Sequence, residues 1–139
     1  MTQRIKNYVK PTVFLDPQEI DGATTGDIID TYLNTRAFDT IIVQAAVGEI
    51  GTDVGSVNFK VEESDASNFA SATVATGGTE TSVDEDSSTT FEVERSKRYI
   101  RVTATPVASG SPSGTPGEDT AVVSATGLLT NWAKDIPLL

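Results

Sequence analysis

The chain has 139 residues, enough for one domain that buries a core without metal or disulfide cross-links. It contains neither cysteine nor histidine, which excludes disulfides, thiolate metal sites and a Ser–His–Asp triad built within this chain. The formal charge of −10 disfavours nucleic acid, and no apolar run is long enough for a membrane span or a signal peptide. We therefore expect neither a nucleic-acid nor a membrane partner, and use without Sec export.

The first ten residues are basic in an otherwise acidic chain. They contain no acidic residue and interleave cations with apolar side chains, among them Arg4, Ile5, Lys6, Tyr8 and Lys10. An arm of this kind, which we assign to residues 1–12, can lie across an acidic partner. The alternative is an ordinary chain terminus that frays or packs on its own domain. The sequence leaves both interpretations open.

Short apolar or alternating segments predict strands in the first half of the chain. The most apolar of them, residues 40–47, should lie in the centre of a sheet. In the segment that follows the next glycine-rich loop, a period of two places Val57, Phe59 and Val61 on the inner face. The turn-forming pair Asp16–Pro17 should end the first strand. In chain order, we predict strands at residues 13–15, 28–33, 40–47, 57–63 and 69–75.

The clearest alternation in the second half lies in residues 97–105, where Ile100 and Val102 fall on one face. Proline has no N–H to give to a ladder, so Pro106 should end this strand. The Pro-, Gly- and Ser-rich stretch 106–119 should form a mobile outer loop. Other strands are predicted at 90–94 and 121–129, with a loop at 76–88 and a tail at 131–139.

Short strands separated by turn signals, with no helical window, indicate an all-β protein. We predict a β-sandwich or jelly roll with extended N- and C-terminal segments, in which a single domain spans residues 13–130. The core should contain the inward residues of the alternating strands, namely Ile41, Val43, Phe59, Val61, Phe91, Val93, Ile100 and Val102.

Acidic clusters in the sequence do not form a catalytic site. Glu62 and Glu63 are adjacent on a predicted strand and point to opposite faces, so they cannot act as a carboxylate pair. A solvated strand end is the simpler interpretation. Residues 84–86 offer oxygen ligands for calcium, but their spacing does not match the twelve-residue calcium loop, and a solvated acidic turn is favoured. We predict a protein that is not an enzyme and has no cofactor.

Two arginines and the single tryptophan are candidates for contacts. Arg98 and Arg101 are three positions apart in a predicted strand and therefore face opposite ways. Each can pair with an acid in the sheet or anchor an interface, where arginine is enriched. Trp132 follows the last predicted strand, either as a core residue or as an interface anchor.

Four stretches together resemble a family of small structural proteins of tailed bacteriophages, encoded beside the major capsid protein. In chain order they read TGDIID at 25–30, FKVEESD at 59–65, KRYIRV at 97–102 and AVVSA at 121–125. The similarity covers residues from about 22 to about 137. It identifies the chain with head decoration, or cement, proteins. The long loop at 106–119 and the basic arm depart from the family pattern.

The resemblance implies a β-sandwich or jelly-roll protein of the virion that binds the outer surface of the capsid and stabilises it after expansion. The implied partner is the major capsid protein, and the implied site of synthesis is the host cytoplasm. We expect a homotrimer at three-fold or quasi-three-fold positions, with a dimer at two-fold positions as the alternative. Contact candidates are Arg4, Ile5, Lys6, Tyr8, Lys10, Arg98, Arg101 and Trp132.

Two other classes remain open at this point. One is a receptor- or carbohydrate-binding β module of a tail or fibre, which would expose aromatic residues at one loop end. The other is a head–tail joining or tail protein, which would form rings.

Overall fold

The computed structural model describes residues 9–33 and 36–132, and at Arg36, Asn131 and Trp132 it describes the backbone alone. In this part of the chain there is no helix, and hence none long and apolar enough to cross a membrane. The described residues form eleven strands: β1 (Lys10–Ile20), β2 (Thr24–Thr25), β3 (Ile29–Asp30), β4 (Tyr32–Leu33), β5 (Arg36–Ile50), β6 (Val54–Ser64), β7 (Thr73–Val74), β8 (Thr81–Val83), β9 (Ser88–Glu94), β10 (Tyr99–Ala108) and β11 (Ala121–Trp132).

The strands form two antiparallel sheets packed face to face as a β-sandwich, which confirms the predicted fold class. In sheet A the order is β1-β11-β5-β9, and β4 pairs with the first residues of β5. In sheet B, β10 and β6 form the centre. The short strands β2 and β3 flank β10, and β7 and β8 flank β6.

The inner faces of the two sheets form one hydrophobic core. All eight predicted core residues are buried: Ile41, Val43, Phe59, Val61, Phe91, Val93, Ile100 and Val102. The strands predicted to form the middle of the core are direct neighbours, with Val102 opposite Val61 and Ala104 opposite Phe59. The period of two therefore located the buried face correctly, because one face of each strand must leave water.

Backbone segments join the two sheets along both flanks of the sandwich. On one flank, Gly26 N donates to Val102 O at 2.8 Å, and the next residue, Asp27, donates to Phe14 O at 3.2 Å. A Cβ at Gly26 would overlap the carbonyl oxygen of Phe14, so this close approach requires glycine. On the other flank, residues 75–78 hydrogen-bond to both β6 and β9. The edges of the sheets are thus partly covered by the protein itself.

Pro106 does not end its strand, contrary to the prediction. β10 continues to Ala108, with Pro106 opposite Val57 of β6. The neighbours of β10 on its other side reach only to Ala104, so the proline lies where β10 is an edge strand and no second ladder needs its N–H. Similarly, Asp16–Pro17 lies inside β1, which passes it with register shifts instead of turning.

Other segment boundaries also differ between the prediction and the structure. The predicted arm and tail overlap the sandwich, because β1 begins at Lys10 and β11 reaches Trp132. Residues 28–33 form two short strands in different sheets, because the chain crosses from sheet B to β5 at buried Thr31. In 69–75 only Thr73–Val74 is strand, since Phe69 has a φ of 62°. The predicted loop 76–88 contains β8.

Candidate functional site

One end of the sandwich gathers cations and aromatic rings from several strands. We call it the arginine end; it consists of residues 30–33, 36–39 and 95–99, with Lys10 at the start of β1. The pairing of Lys10 with Leu129 and of Trp132 with Phe38 places the start of β1 and the end of β11 side by side here. Thr31 N donates to Arg98 O at 3.0 Å and ties the crossing segment to the turn before β10. Residues 1–8 and 133–139 are joined to the sandwich at this end.

Arg98 is held in a fixed geometry at the arginine end. Its Nε and Nη2 donate to the two carboxylate oxygens of Asp30 at 2.9 and 2.7 Å. Its guanidinium carbon lies 4.7 Å from the ring centre of Tyr32 and 5.1 Å from that of Tyr99. The Arg98 side chain is 42% exposed, so this planar donor group remains available to a partner. Hydrogen bonding to Asp30 raises the pKa of Arg98.

Asp30 is ionised in this arrangement. Partial burial acts to raise its pKa, but the hydrogen bonds from Arg98 and from Tyr32 N, with the positive charges of Arg98 and Lys10, bring it below the usual value. The influence of Lys10 on this carboxylate places the first cation of β1 near the same cluster.

Arg95 is the second arginine of the cluster. Its Nε donates to Phe38 O at 2.8 Å, its Nη2 donates to Asp39 Oδ1 at 2.8 Å, and its guanidinium carbon lies 5.4 Å from the ring centre of Tyr32. Tyr32 therefore contacts two guanidinium groups. Two fixed arginines beside aromatic rings form the kind of anchor that is enriched in protein interfaces.

Glu63 is buried, so the prediction of a solvated strand end is wrong for this residue. Its carboxylate accepts hydrogen bonds from Ser96 N at 2.9 Å, Ser96 Oγ at 2.5 Å and Lys97 N at 3.1 Å. The carboxylate enters the interior because these donors of the β9–β10 turn satisfy it. Glu62 points to the other face, as predicted.

Arg101 lies away from the arginine end, on the outer face of sheet B. Its Nη2 is 3.9 Å from Glu62 Oε1, and its guanidinium carbon is 4.3 Å from the ring centre of Phe69. Lys60 Nζ lies 3.4 Å from Glu62 Oε2 and extends this row of charges. Both predicted arginines thus have an acidic partner within the chain, but Arg101 is largely covered and Arg98 is not.

The remaining contact candidates divide between described and undescribed residues. Lys10 is exposed and lies at the arginine end. Trp132 pairs through its backbone with Phe38, and its side chain lies outside the described part. The other predicted contacts also lie outside the described residues: Arg4, Ile5, Lys6 and Tyr8.

The opposite end of the sandwich is acidic, and we call it the loop end: residues 16–23, 48–54, 84–87 and 109–120. These segments contain no lysine or arginine. Asp53 is buried and accepts hydrogen bonds from Ser113 N at 2.5 Å, Ser113 Oγ at 2.7 Å and Gly114 N at 3.0 Å. Glu118 Oε2 accepts from Thr52 N and Thr52 Oγ1, both at 3.0 Å. These bonds lower the pKa of Asp53 and of Glu118.

The acidic turn at residues 84–86 has a structural contact. Glu85 Oε1 accepts a hydrogen bond from Ile50 N at 3.3 Å, and Asp86 adopts a φ of 53°. Among the described residues, no three acidic side chains come together in a way that could hold a metal ion.

Sequence reasoning missed several residues that shape these two ends, namely Asp30, Tyr32, Asp53 and Arg95. Each partners a residue more than fifty positions away in the chain, apart from the contact of Asp30 with Tyr32 N. The strand parity of Asp30 and Tyr32 was the one usable signal, because it places both side chains on the same side of the predicted strand.

Comparison with known proteins supports the fold. No family model matches the chain, and no curated protein matches it. Among solved structures, the crystal structure of PBSX exported protein XepA is similar, with a TM-score of 0.58 and 16% sequence identity. The match covers 94% of this chain and 40% of that one, so this chain spans less than half of the XepA length. At this identity the similarity concerns the fold.

Proposed function

We propose that this chain is a structural protein of a tailed-phage virion, a cement or decoration protein that binds the outside of the expanded capsid. The observation that carries the proposal is the arginine end. Exposed, preorganised Arg98 and exposed Lys10 both lie at this end, where the basic residues 1–8 are joined to an acidic body. Such an end fits an acidic patch on the major capsid protein.

Two further observations support a phage origin. The sequence resembles decoration proteins in the four stretches given above, and the structural neighbour, printed as PBSX exported protein XepA, is phage-related. That name describes XepA as exported, which concerns XepA itself. The role on a capsid rests on the resemblance and on the arginine end.

The arginine end and the loop end would play different parts in binding to the capsid. The basic arm would order on the capsid surface, where Arg4, Lys6 and Lys10 meet acidic groups and Ile5 and Tyr8 lose water. The loop end would point away from the shell, since its acidic side chains are repelled by an acidic surface. A protein that binds only the expanded lattice stabilises that lattice by mass action, and many copies add their contributions.

The proposal includes a homo-oligomer, a trimer or alternatively a dimer, on the outer capsid surface. It requires no enzyme activity, cofactor, nucleic acid or membrane. Trp132 and the tail that follows it would share the capsid contact with the arm, because β11 ends beside β1. Arg101 would not take part, since Glu62 and Phe69 largely cover its guanidinium.

The test is the occupancy of expanded, undecorated capsids by the wild-type protein and by a variant that lacks residues 1–9, measured across a salt series. We expect occupancy of the deletion variant to fall by about tenfold or more at low salt and to depend less on salt, because Arg4 and Lys6 are removed while Lys10 remains. The melting temperature of the free protein should stay within about 2 °C, since β1 begins after the deletion.

A charge-matched pair of substitutions controls for net charge. Lys10→Glu at the arginine end should weaken capsid binding, whereas Lys60→Glu on sheet B changes the net charge equally and should not. Equal occupancy of wild type and deletion variant at every salt concentration would rule out the arm as a capsid contact. Recovery of the protein from infected cultures entirely apart from virions would reject the proposed function.

A further inference from the structure

One dipeptide of the loop end combines a carboxyl side chain with an unshielded backbone nitrogen. Asp21–Gly22 is the one place in the sequence where glycine follows an aspartate or an asparagine. Glycine has no Cβ, so its nitrogen is open to approach and its backbone is more mobile than that of other residues. This nitrogen is therefore well suited to attack the carboxyl carbon of the side chain that precedes it.

The dipeptide lies in an exposed turn that connects the two sheets. β1 ends at Ile20, whose partner is Ala121, and β2 begins at Thr24. Asp21 and Gly22 are both exposed. Within the described part of the chain, the N–H of Gly22 donates no hydrogen bond, while its carbonyl oxygen accepts one from Thr24 Oγ1 at 3.0 Å. The attacking nitrogen is thus not fixed by a strand ladder.

The space around this turn is open as well. A Cβ built on Gly22 meets no heavy atom within 4 Å, whereas a Cβ at Gly26 would overlap the carbonyl oxygen of Phe14. Local opening of an exposed turn costs little free energy, because few buried contacts and ladder hydrogen bonds are lost. A ring between the side chain and the main chain therefore has room to form.

The other aspartates of the loop end are held, blocked or shielded. Asp53 is buried, its carboxylate accepts three hydrogen bonds, and Val54 N donates to Gly51 O at 3.0 Å. Asp16 precedes Pro17, which has no N–H to lose. The remaining ones precede residues whose Cβ shields the nitrogen, namely Asp84, Asp86 and Asp119.

We propose that Asp21 is a site of spontaneous isoaspartate formation in the folded protein. The nitrogen of Gly22 forms a bond to Cγ of Asp21, and its proton leaves with the carboxyl hydroxyl group as water. The resulting succinimide ring then takes up a water molecule. Hydrolysis at the Cγ carbonyl restores aspartate, and hydrolysis at the other carbonyl leaves a main chain that runs through Cγ and a new α-carboxylate. No oxidant, reductant or other reactant takes part.

The fold can accept the longer main chain at this point. Asp21 follows the last ladder pair of β1, so the new bond interrupts no strand pairing. We expect the melting temperature to change by about 2 °C or less, as for other changes at exposed positions. The modified chain therefore accumulates as a folded protein, and its new α-carboxylate is a substrate for an isoaspartyl carboxyl methyltransferase. The inference stands independently of the proposed function.

Ageing of the purified full chain at neutral pH tests the proposal, with the peptide of residues 18–25 as the reference. Isoaspartate is counted as methyl groups transferred from S-adenosylmethionine by the methyltransferase, and it is located by electron-transfer fragmentation of proteolytic peptides. We expect it to accumulate first at Asp21, at a rate within about tenfold of that in the peptide, because opening of the turn costs little free energy.

Three variants, each confirmed as folded by circular dichroism, identify the reacting groups. Asp21→Glu should lose the early methyl acceptance, because the longer side chain would have to close a larger ring. Gly22→Ala should slow the reaction several-fold, since the added Cβ fits the turn but shields the nitrogen. Asp84→Glu, at another exposed position of the loop end, is the matched control and should react as the wild type does.

Three results would overturn the proposal. The first is a rate at Asp21 in the folded chain that is more than about tenfold below the rate in the peptide, which would show that the fold holds the turn closed. The second is isoaspartate that accumulates at another aspartate before it does at Asp21. The third is a Gly22→Ala protein that reacts as fast as the wild type.

Discussion

A buried carboxylate lies beneath a loop at each end of β6. The two loops differ in length, and the two carboxylates differ in the charges around them. Glu63, near the end of the strand, accepts three hydrogen bonds from the turn between β9 and β10. Asp53, just before the strand, accepts three from the long loop between β10 and β11. The first turn has four residues between strands and the second has twelve.

The surroundings of the two carboxylates also differ. Glu63 lies at the arginine end, where the cations have acidic partners such as Asp30 and Asp39. Asp53 lies at the loop end, where the neighbouring segments carry acids and no lysine or arginine. One end is therefore held by ion pairs and a short turn, and the other by neutral donors alone. The comparison predicts that removal of Glu63 lowers the stability of the whole fold. Removal of Asp53 should mainly loosen the loop that it holds.

The largest effect is expected from Glu63→Ala. It leaves Ser96 N, Ser96 Oγ and Lys97 N without their acceptor in a buried site, at a cost of about 3 kcal/mol. Because the turn connects the central strand β10, the loss should appear as a decrease in melting temperature of roughly 10 °C. Thermal unfolding monitored by circular dichroism measures it.

Glu80→Ala, at an exposed position, is the matched control and should change the melting temperature by about 1 °C or less. Glu63→Gln keeps one acceptor and should fall between the two. A Glu63→Ala protein as stable as the control would show that the turn does not depend on this carboxylate.

Asp53→Ala should have a smaller effect on global stability and a large one on the loop. The substitution removes the acceptor for Ser113 and Gly114, while the flanking strands keep their ladders. Amide exchange in residues 109–117 should accelerate by about tenfold or more, and proteolytic cleavage should concentrate there. Exchange mass spectrometry on wild type, Asp53→Ala and the exposed control Asp119→Ala measures this.

Exchange in this loop that is already at its unprotected rate in the wild type would contradict the comparison. It would mean that the hydrogen bonds of Asp53 do not order the loop. The loop would then be mobile, as the sequence predicts.

Strand periodicity in the sequence was sufficient to predict most of the fold. The segments around Val61, Val93 and Ile100 alternate cleanly because one side of each strand faces water and the other faces the core. The prediction failed where a local signal competed with tertiary pairing. Pro106 and Pro17 are breakers only when a second ladder needs their N–H, and edge strands do not. The strand at 81–83 was missed because it is short and pairs with β6 by contacts that its own sequence does not specify.

The candidate site was less accessible from the sequence. Arg98 was selected for its type, but its partner Asp30 is 68 positions away, and no local pattern links the two. Asp53 and Ser113 are 60 positions apart, in segments that both read as solvated loops.

The smallest expected effect is a difference between the arginine end and the loop end in their response to acid and to salt. Hydrogen bonds from Ser113 hold the pKa of Asp53 below its ordinary value, so these bonds are intact above the ordinary value and are lost as the pH falls through the lowered pKa. The amide resonances of Ser113 and Gly114 should titrate with a midpoint below the ordinary aspartate value and should hardly move with added salt at pH 7. Asp30 also has a lowered pKa, so acid loosens both ends. Salt distinguishes them, because it screens exposed ion pairs such as Asp30–Arg98, whereas the donors to Asp53 are neutral.

At 0.5 M salt, that pair should lose part of a coupling that is worth about 1 kcal/mol or less in a double-mutant cycle of Asp30→Asn and Arg98→Ala. A loop end that responds to salt as strongly as the arginine end would show that charge, rather than hydrogen bonding to neutral donors, holds the loop. An Asp53 midpoint at or above the ordinary aspartate value would show that Ser113 and Gly114 do not bind the carboxylate in solution. Either result would remove the distinction between the two ends, because Asp53 would then act as an ordinary surface acid and not as the counterpart of Glu63.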